Sequence, residues 1–166
     1  MKELDISYLT KEEKEELFNF AKNLNTLGFN DQCDLSLTKY KSDYVYDEDP
    51  EHPESHKAGE IRCREGKFIN QDNKYFEKYG FPELNKLEAW LRFKYDICLV
   101  ITPEYITDGE YYNTTIYHAK IYSPYSISNE IDKYEDQDEC YETLEFRALN
   151  KVINELVKDE NNYKRF

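Results

Sequence analysis

The chain is short of the residues that make loops, clamps and phosphate cradles. Its 166 residues include only five Gly and five Pro, one Met and one Trp. Five scattered glycines leave no G-x-x-x-x-G-K and no G-x-G-x-x-G, which excludes the two commonest nucleotide-binding loops. The four cysteines, Cys33, Cys63, Cys98 and Cys140, lie far apart with no C-x-x-C pair. A zinc ribbon or a disulfide framework is therefore not expected, and reduced thiols in a cytoplasmic setting are. Long hydrophobic runs are also missing. The longest, Ile97 to Ile101, is five residues, far below the roughly 18 of a membrane span. The start, MKELDISYLTKEEKEEL, is charged throughout and does not read as a signal peptide. On that reading the sequon Asn113-Thr114-Thr115 does not meet the glycosylation machinery.

What is present is acid and aromatic carbon. The net charge is −13, and the chain carries 16 Tyr and 9 Phe. A mean hydropathy of −0.93 looks low for a folded protein, but each buried Tyr or Phe removes roughly 150–250 Å² from water. A disordered acidic segment would be poor in aromatics. One folded domain over residues 1–166 is expected.

The acid is segregated. Asp47, Glu48, Asp49, Glu51, Glu54 and Glu60 crowd one stretch. Glu130, Asp132, Glu135, Asp136, Asp138, Glu139, Glu142 and Glu145 crowd another, against Lys133 alone. Such a surface repels nucleic acid and attracts proteins whose grooves are basic. Asp47–Glu54 and Glu130–Glu142 are therefore the candidate partner-binding stretches.

The element order reads α, a loop-rich segment with short strands, α, ββ, α. Thr10 with Glu13 forms a capping box ahead of Leu17, Phe18, Ala21 and Leu24, so the first helix is expected from Lys11 to about Leu27, with Gly28 as its C′ residue. Residues 31–80 read as loop-rich, with strands at 34–38, 44–46 and 60–64 and an exposed loop over DEDPEHPESHKAGE. Residues 81–158 read as helix, β-hairpin, helix. Phe81-Pro82 opens the second helix, whose stripe is Leu84, Leu87, Trp90 and Leu91. Ile97–Ile101 has the composition of a central strand, Asp108-Gly109 marks a turn, and Tyr111–Tyr122 is the return strand. A polar connection follows over 123–139, then a helix from Tyr141 to Asp159. The expected fold class is α+β, a small antiparallel sheet with about three helices packed on it.

Catalytic constellations are weak. His52 and His56 with Cys63 have metal-ligand types, but Pro53 breaks the helix their spacing needs, so two solvated histidines are expected. Asp132 to Asp138 lacks the glycine of a calcium loop. The paired carboxylates lie in solvated runs that would not raise a pKa. His118 reads as a strand histidine paired with a carboxylate, and Trp90 as core. No enzyme activity, no metal and no cofactor are expected. Basic and aromatic residues do interleave between Lys57 and Lys94 (Arg62, Arg64, Lys67, Lys74, Lys78, Lys86 and Arg92 among Phe68, Tyr75, Phe76 and Tyr79), which makes contact with single-stranded RNA the alternative reading.

The segment Asn85-Lys86-Leu87-Glu88-Ala89-Trp90-Leu91-Arg92-Phe93-Lys94-Tyr95, the hairpin after it, and Tyr141-Glu142-Thr143-Leu144-Glu145 opening the last helix resemble a pattern of small Bacteroidetes and phage proteins. In that pattern a helix reads about "LLxxWLRxxY" and the closing helix starts "YEEALExxLxxAL". The likeness spans about residues 84–158, departs from the pattern at Thr143–Phe146, and carries no active site over. In size, acidity and lack of motifs the chain also resembles anti-CRISPR proteins. That resemblance implies a non-catalytic inhibitor of a host RNA-guided nuclease, with a type VI RNA-targeting enzyme the implied target in Bacteroidetes. A phage accessory or structural domain is the other implication of such an origin.

Overall fold

The computed structural model describes residues 3–29, 33–46, 54–65, 70–108, 112–123 and 134–163. The chain divides into two compact units, Met1–Glu83 and Leu84–Phe166. The class is α+β: three helices and small antiparallel sheets among the described residues.

In the first unit, helix α1 spans Lys11–Thr26. The Thr10 hydroxyl accepts the Glu13 N–H at 3.2 Å, and the Glu13 carboxylate accepts the Thr10 N–H at 2.7 Å. The other end closes as a Schellman motif. Phe29 N–H reaches Leu24 O and Gly28 N–H reaches Asn25 O, each at 3.0 Å, with Gly28 at φ 80. Both caps stand where the sequence placed them.

α1 lies on a five-stranded sheet made of β1 (Glu3–Leu4), β2 (Leu35–Tyr40), β5 (Ile61–Glu65), β6 (Gln71–Asp72) and β7 (Phe76–Phe81), in the order β1-β5-β2-β7-β6. Leu37 stands opposite Cys63 on one side and Tyr79 on the other. That register aligns their side chains on one face, where Phe18 and Ala21 of α1 bury them with Ile61. The ring of Phe18 meets Tyr79 at 5.5 Å, tilted 59°.

This unit departs from expectation over residues 31–80. Among its described residues the segment holds six strands rather than mostly loop. Strand β7 carries Glu77, Lys78 and Gly80 among its aromatics, which hides its pattern. Ser36 and Thr38, polar by alternation, are buried on the second face of β2. Part of the expected acidic loop is strand β4 (Glu54–His56), paired with β3 (Tyr44–Tyr46) in a separate hairpin. The backbone of Tyr44-Val45-Tyr46 needs partners, and β4 supplies them.

In the second unit, α2 spans Leu84–Tyr95, two residues after the expected Pro82, because Phe81 still belongs to β7. It ends at Asp96, φ 56, whose N–H bonds Arg92 O at 3.1 Å. Then come β8 (Cys98–Asp108), β9 (Tyr112–Tyr122), β10 (Glu135–Asp138) and α3 (Tyr141–Tyr163). The sheet order is β10-β9-β8, so the apolar 97–101 run is an edge strand rather than a central one. Only Ile97 of that run is buried. β10 lies inside the stretch expected to be a polar connection. Ala119 and Ile121 of β9 are buried while Lys120 and Tyr122 are exposed, so one face is covered. Leu87 and Leu91 of α2 and Leu144, Ala148, Leu149, Val152, Ile153 and Leu156 of α3 supply the rest of the core. At about 25 cal/mol per Å², stripes of this size dominate the stability of so small a unit.

Candidate functional site

The second acidic stretch folds around one guanidinium. β10 pairs with β9 so that Glu135 stands opposite Lys120, and their side chains bridge at 2.7 Å. Asp136 and Asp138 point to the other side, toward α3. There Arg147 Nε lies 2.9 Å from Asp136 and Nη1 2.8 Å from Asp138, while Nη2 donates to the Gln137 carbonyl at 3.1 Å. Tyr134 donates its hydroxyl to Asp136 at 3.0 Å. Burial, then that carboxylate, push the Tyr134 phenol far above its usual range. Asp138 is held below the usual range first by the Cys140 N–H at 2.9 Å and then by Arg147. Three short bonds to one planar fork make a rigid structural joint.

Of the proposed contact residues, then, Glu135, Asp136 and Asp138 already have cationic partners. Glu139 and Glu142 remain exposed at the start of α3. Glu54 lies on β4, its backbone opposite Tyr46. Asp47, Glu48, Asp49, Glu51, Glu130 and Asp132 lie outside the described residues, as do His52, Lys67 and Phe68.

A second acidic group was not visible in sequence. Glu145 of α3 is half-buried, and burial, then Glu88 of α2 and Glu142, raise its carboxyl. Burial also raises Glu88, against the pull of Arg92. Tyr141 is raised by burial and by the same three carboxylates. A protonated carboxyl among neighbours can pass a proton, but no His, Cys or hydroxyl nucleophile is hydrogen-bonded to either Glu among the described residues. No group of three or more His, Cys, Asp or Glu there has the geometry to hold a metal ion.

His118 pairs with Glu104 at 2.6 Å across β9 and β8, as read from the sequence. His56 is not solvated. It is 8% exposed and stacks flat on Tyr40, centroids 3.8 Å apart and 9° from parallel. The Arg62 guanidinium lies 5.9 Å from the same ring and is fixed by Glu60 at 2.8 Å. Trp90 is half-buried, with Tyr95 edge-on at 5.4 Å and Lys94 at 5.0 Å from its ring.

The basic and aromatic stretch of 57–94 is split between the units. Arg62, Arg64, Lys74 and Lys78 belong to the first, and Lys86, Arg92 and Lys94 to the second. Within the first unit, Lys11, Lys14 and Lys57 line a cleft of about 340 Å³ together with Glu15 and Glu60. Glu15 is bridged by Lys39 at 2.7 Å and Glu60 by Arg62, which leaves the cleft locally cationic. An apolar hollow of about 300 Å³ in the same unit is lined by Leu17 of α1 and by Leu37, Cys63 and Phe81 of the sheet. All four cysteines are free thiols, and burial pushes Cys63 up. No helix among the described residues is long and apolar enough to cross a membrane.

The chain matches no protein-family model, and neither a curated protein nor a solved structure is significantly similar to it. What it does must therefore be read from its own surface.

Proposed function

We propose that this chain is a non-enzymatic, acidic binding protein that occupies the basic, nucleic-acid-handling surface of a partner protein, in the manner of an anti-CRISPR inhibitor of an RNA-guided nuclease. The observation that carries the reading is the net charge of −13 and its segregation. Carboxylates stand in for phosphates, and steering by the field speeds encounter with a cationic groove. Exposed tyrosines, Tyr105 and Tyr141 among them, add apolar and hydrogen-bonding contact at an interface. The cytoplasm is the compartment this function requires.

The test is charge reversal in the two acidic stretches, at Glu139 and Glu142, which have no cationic partner among the described residues, and at Asp47, Glu48 and Asp49, which lie outside them. Glu139→Lys/Glu142→Lys, alone and combined with Asp47→Lys/Glu48→Lys/Asp49→Lys, should weaken binding to the partner and leave the melting temperature unchanged. Undiminished binding by the fully reversed chain, at an unchanged melting temperature, would refute the reading. A second reading, direct RNA contact, draws on the cationic cleft of Lys11, Lys14 and Lys57. It requires a salt-dependent affinity for single-stranded RNA that Lys11→Glu/Lys57→Glu removes.

A further inference from the structure

The hairpin of β8 and β9 is longer than the layer that supports it. The two strands pair from Cys98 with Tyr122 out to Asp108 with Tyr112. β10 reaches β9 only from Lys120 to Tyr117. Beyond that point, among the described residues, the strands run on as a two-stranded ribbon, Glu104–Asp108 against Tyr112–Ile116. The N-terminus of α3 meets β9 at the same level. Tyr117 meets Tyr141, the first residue of α3, edge-on at 5.6 Å.

Exposure on β8 begins just inside that boundary, while Thr115 and Ile116 of β9 are half-buried. Thr102, Pro103, Glu104, Tyr105 and Ile106 are all exposed in succession. Successive strand residues point to opposite faces, so a run of exposed residues means that both faces of β8 are bare. Tyr105 is 75% exposed on one face and Ile106 39% on the other. An isolated two-stranded ribbon is marginal in water, and one that presents Tyr and Ile on opposite sides gains by being enclosed.

The charge of the arm indicates what encloses it. From Glu104 to Ile116 the sequence carries Glu104, Asp108 and Glu110, and no Lys or Arg. A second copy of the arm would bring like charges together, and RNA would be repelled. Resting on the functional reading above, we propose that this arm is the element that enters the partner, and that it fits a groove lined by Lys and Arg with apolar walls. Tyr105 and Ile106 are its anchors, and the carboxylates set its orientation.

The test places a photo-crosslinker in the arm, Tyr105→p-benzoylphenylalanine, with Tyr8→p-benzoylphenylalanine in the first unit as the control. Crosslinking is done in the cells that encode the chain, and products are mapped by mass spectrometry. The expected result is a product from position 105 whose partner peptide lies in a Lys- and Arg-rich, nucleic-acid-binding surface. Excess wild-type chain should compete it away, and the Tyr105→Ser/Ile106→Ser chain should compete about tenfold less well. Both side chains are exposed, so that variant should melt with the wild type. A product joining two copies, a product with RNA, no product from position 105, or equal competition by the serine variant overturns the proposal. A product on such a basic surface from position 8 alone overturns the arm and leaves the functional reading standing. A product from position 105 on a surface poor in Lys and Arg overturns the functional reading, and with it the cationic groove.

Discussion

Arg147 Nε lies 2.9 Å from the Asp136 carboxylate, across the gap between α3 and β10. With Asp138 and the Gln137 carbonyl on the same guanidinium, this contact ties a strand of acidic and amide residues to the core helix. Arg147→Met should leave two carboxylates facing each other and release β10. A fall in Tm on the order of 5 °C is expected, reduced rather than enlarged when Asp136→Asn and Asp138→Asn are added. Arg147→Lys should fall between, because an ammonium cannot make the fork. Scanning calorimetry of these chains and of Asp136→Asn/Asp138→Asn alone decides it, and additive losses would count against a shared joint.

Glu145 predicts a pH signature of the opposite sign to the usual carboxylate. Burial first, then Glu88 and Glu142, raise its folded pKa above the ordinary 4.5. The ionised form is therefore the costly one in the fold. Stability from this group increases as pH falls through the folded value and levels off below 4.5. Glu145→Gln should raise Tm at pH 7, and the gain should vanish at a pH below the ordinary carboxyl range. A gain that persists in acid would show packing rather than charge as its cause.

Gly80 has a neighbour that leaves no room for a methyl group. A Cβ there would meet the Cys33 Sγ at 2.8 Å and the Cys33 Cβ at 2.9 Å. Gly80→Ala should cost about 1–3 kcal/mol in urea unfolding, as overpacked cores do. In a Cys33→Ala background the added cost should shrink without disappearing, since one of the two contacts is with Cβ. Equal costs in both backgrounds would remove Cys33 as the obstacle.

Ser36 is fully buried in the central strand β2, and its hydroxyl has no hydrogen-bond partner among the described residues. A buried hydroxyl left unmade costs about 1–3 kcal/mol. Ser36→Ala should therefore be neutral or stabilising, against the usual direction for a core change. A loss of more than about 1 kcal/mol would show that the hydroxyl is in fact bonded.

Local signals carried most of what was legible. The Thr10–Glu13 box, the Gly28 terminus, the apolar face of α3 and the β8–β9 hairpin are each written within a few residues of themselves. What escaped depends on residues distant in sequence. The run Glu135–Asp138 has poor strand propensity, and it becomes β10 because β9 offers an open edge and Arg147 and Lys120 neutralise its carboxylates. His56 looked solvated because its partner Tyr40 precedes it by more than a dozen residues. The acidic stretch was visible as charge, while its internal pairing was not. The sequence set eight acids against Lys133 and could not show that cations from α3 and β9 would reach them. The exposed arm escaped for a related reason: alternation in β8 and β9 marks a hairpin but not where its support ends.

The order β1-β5-β2-β7-β6 has a consequence for the chain as it is made. β2 is the middle strand, yet both of its neighbours follow it in sequence, and β1 must wait for β5. During synthesis α1 and β2 leave the ribosome with both strand edges and the apolar face of the helix open, and the sheet cannot close until Phe81 has emerged. The second unit closes its hairpin from adjacent residues. On a ribosome the first unit is the one that needs shelter, and its waiting period ends at the boundary with the second.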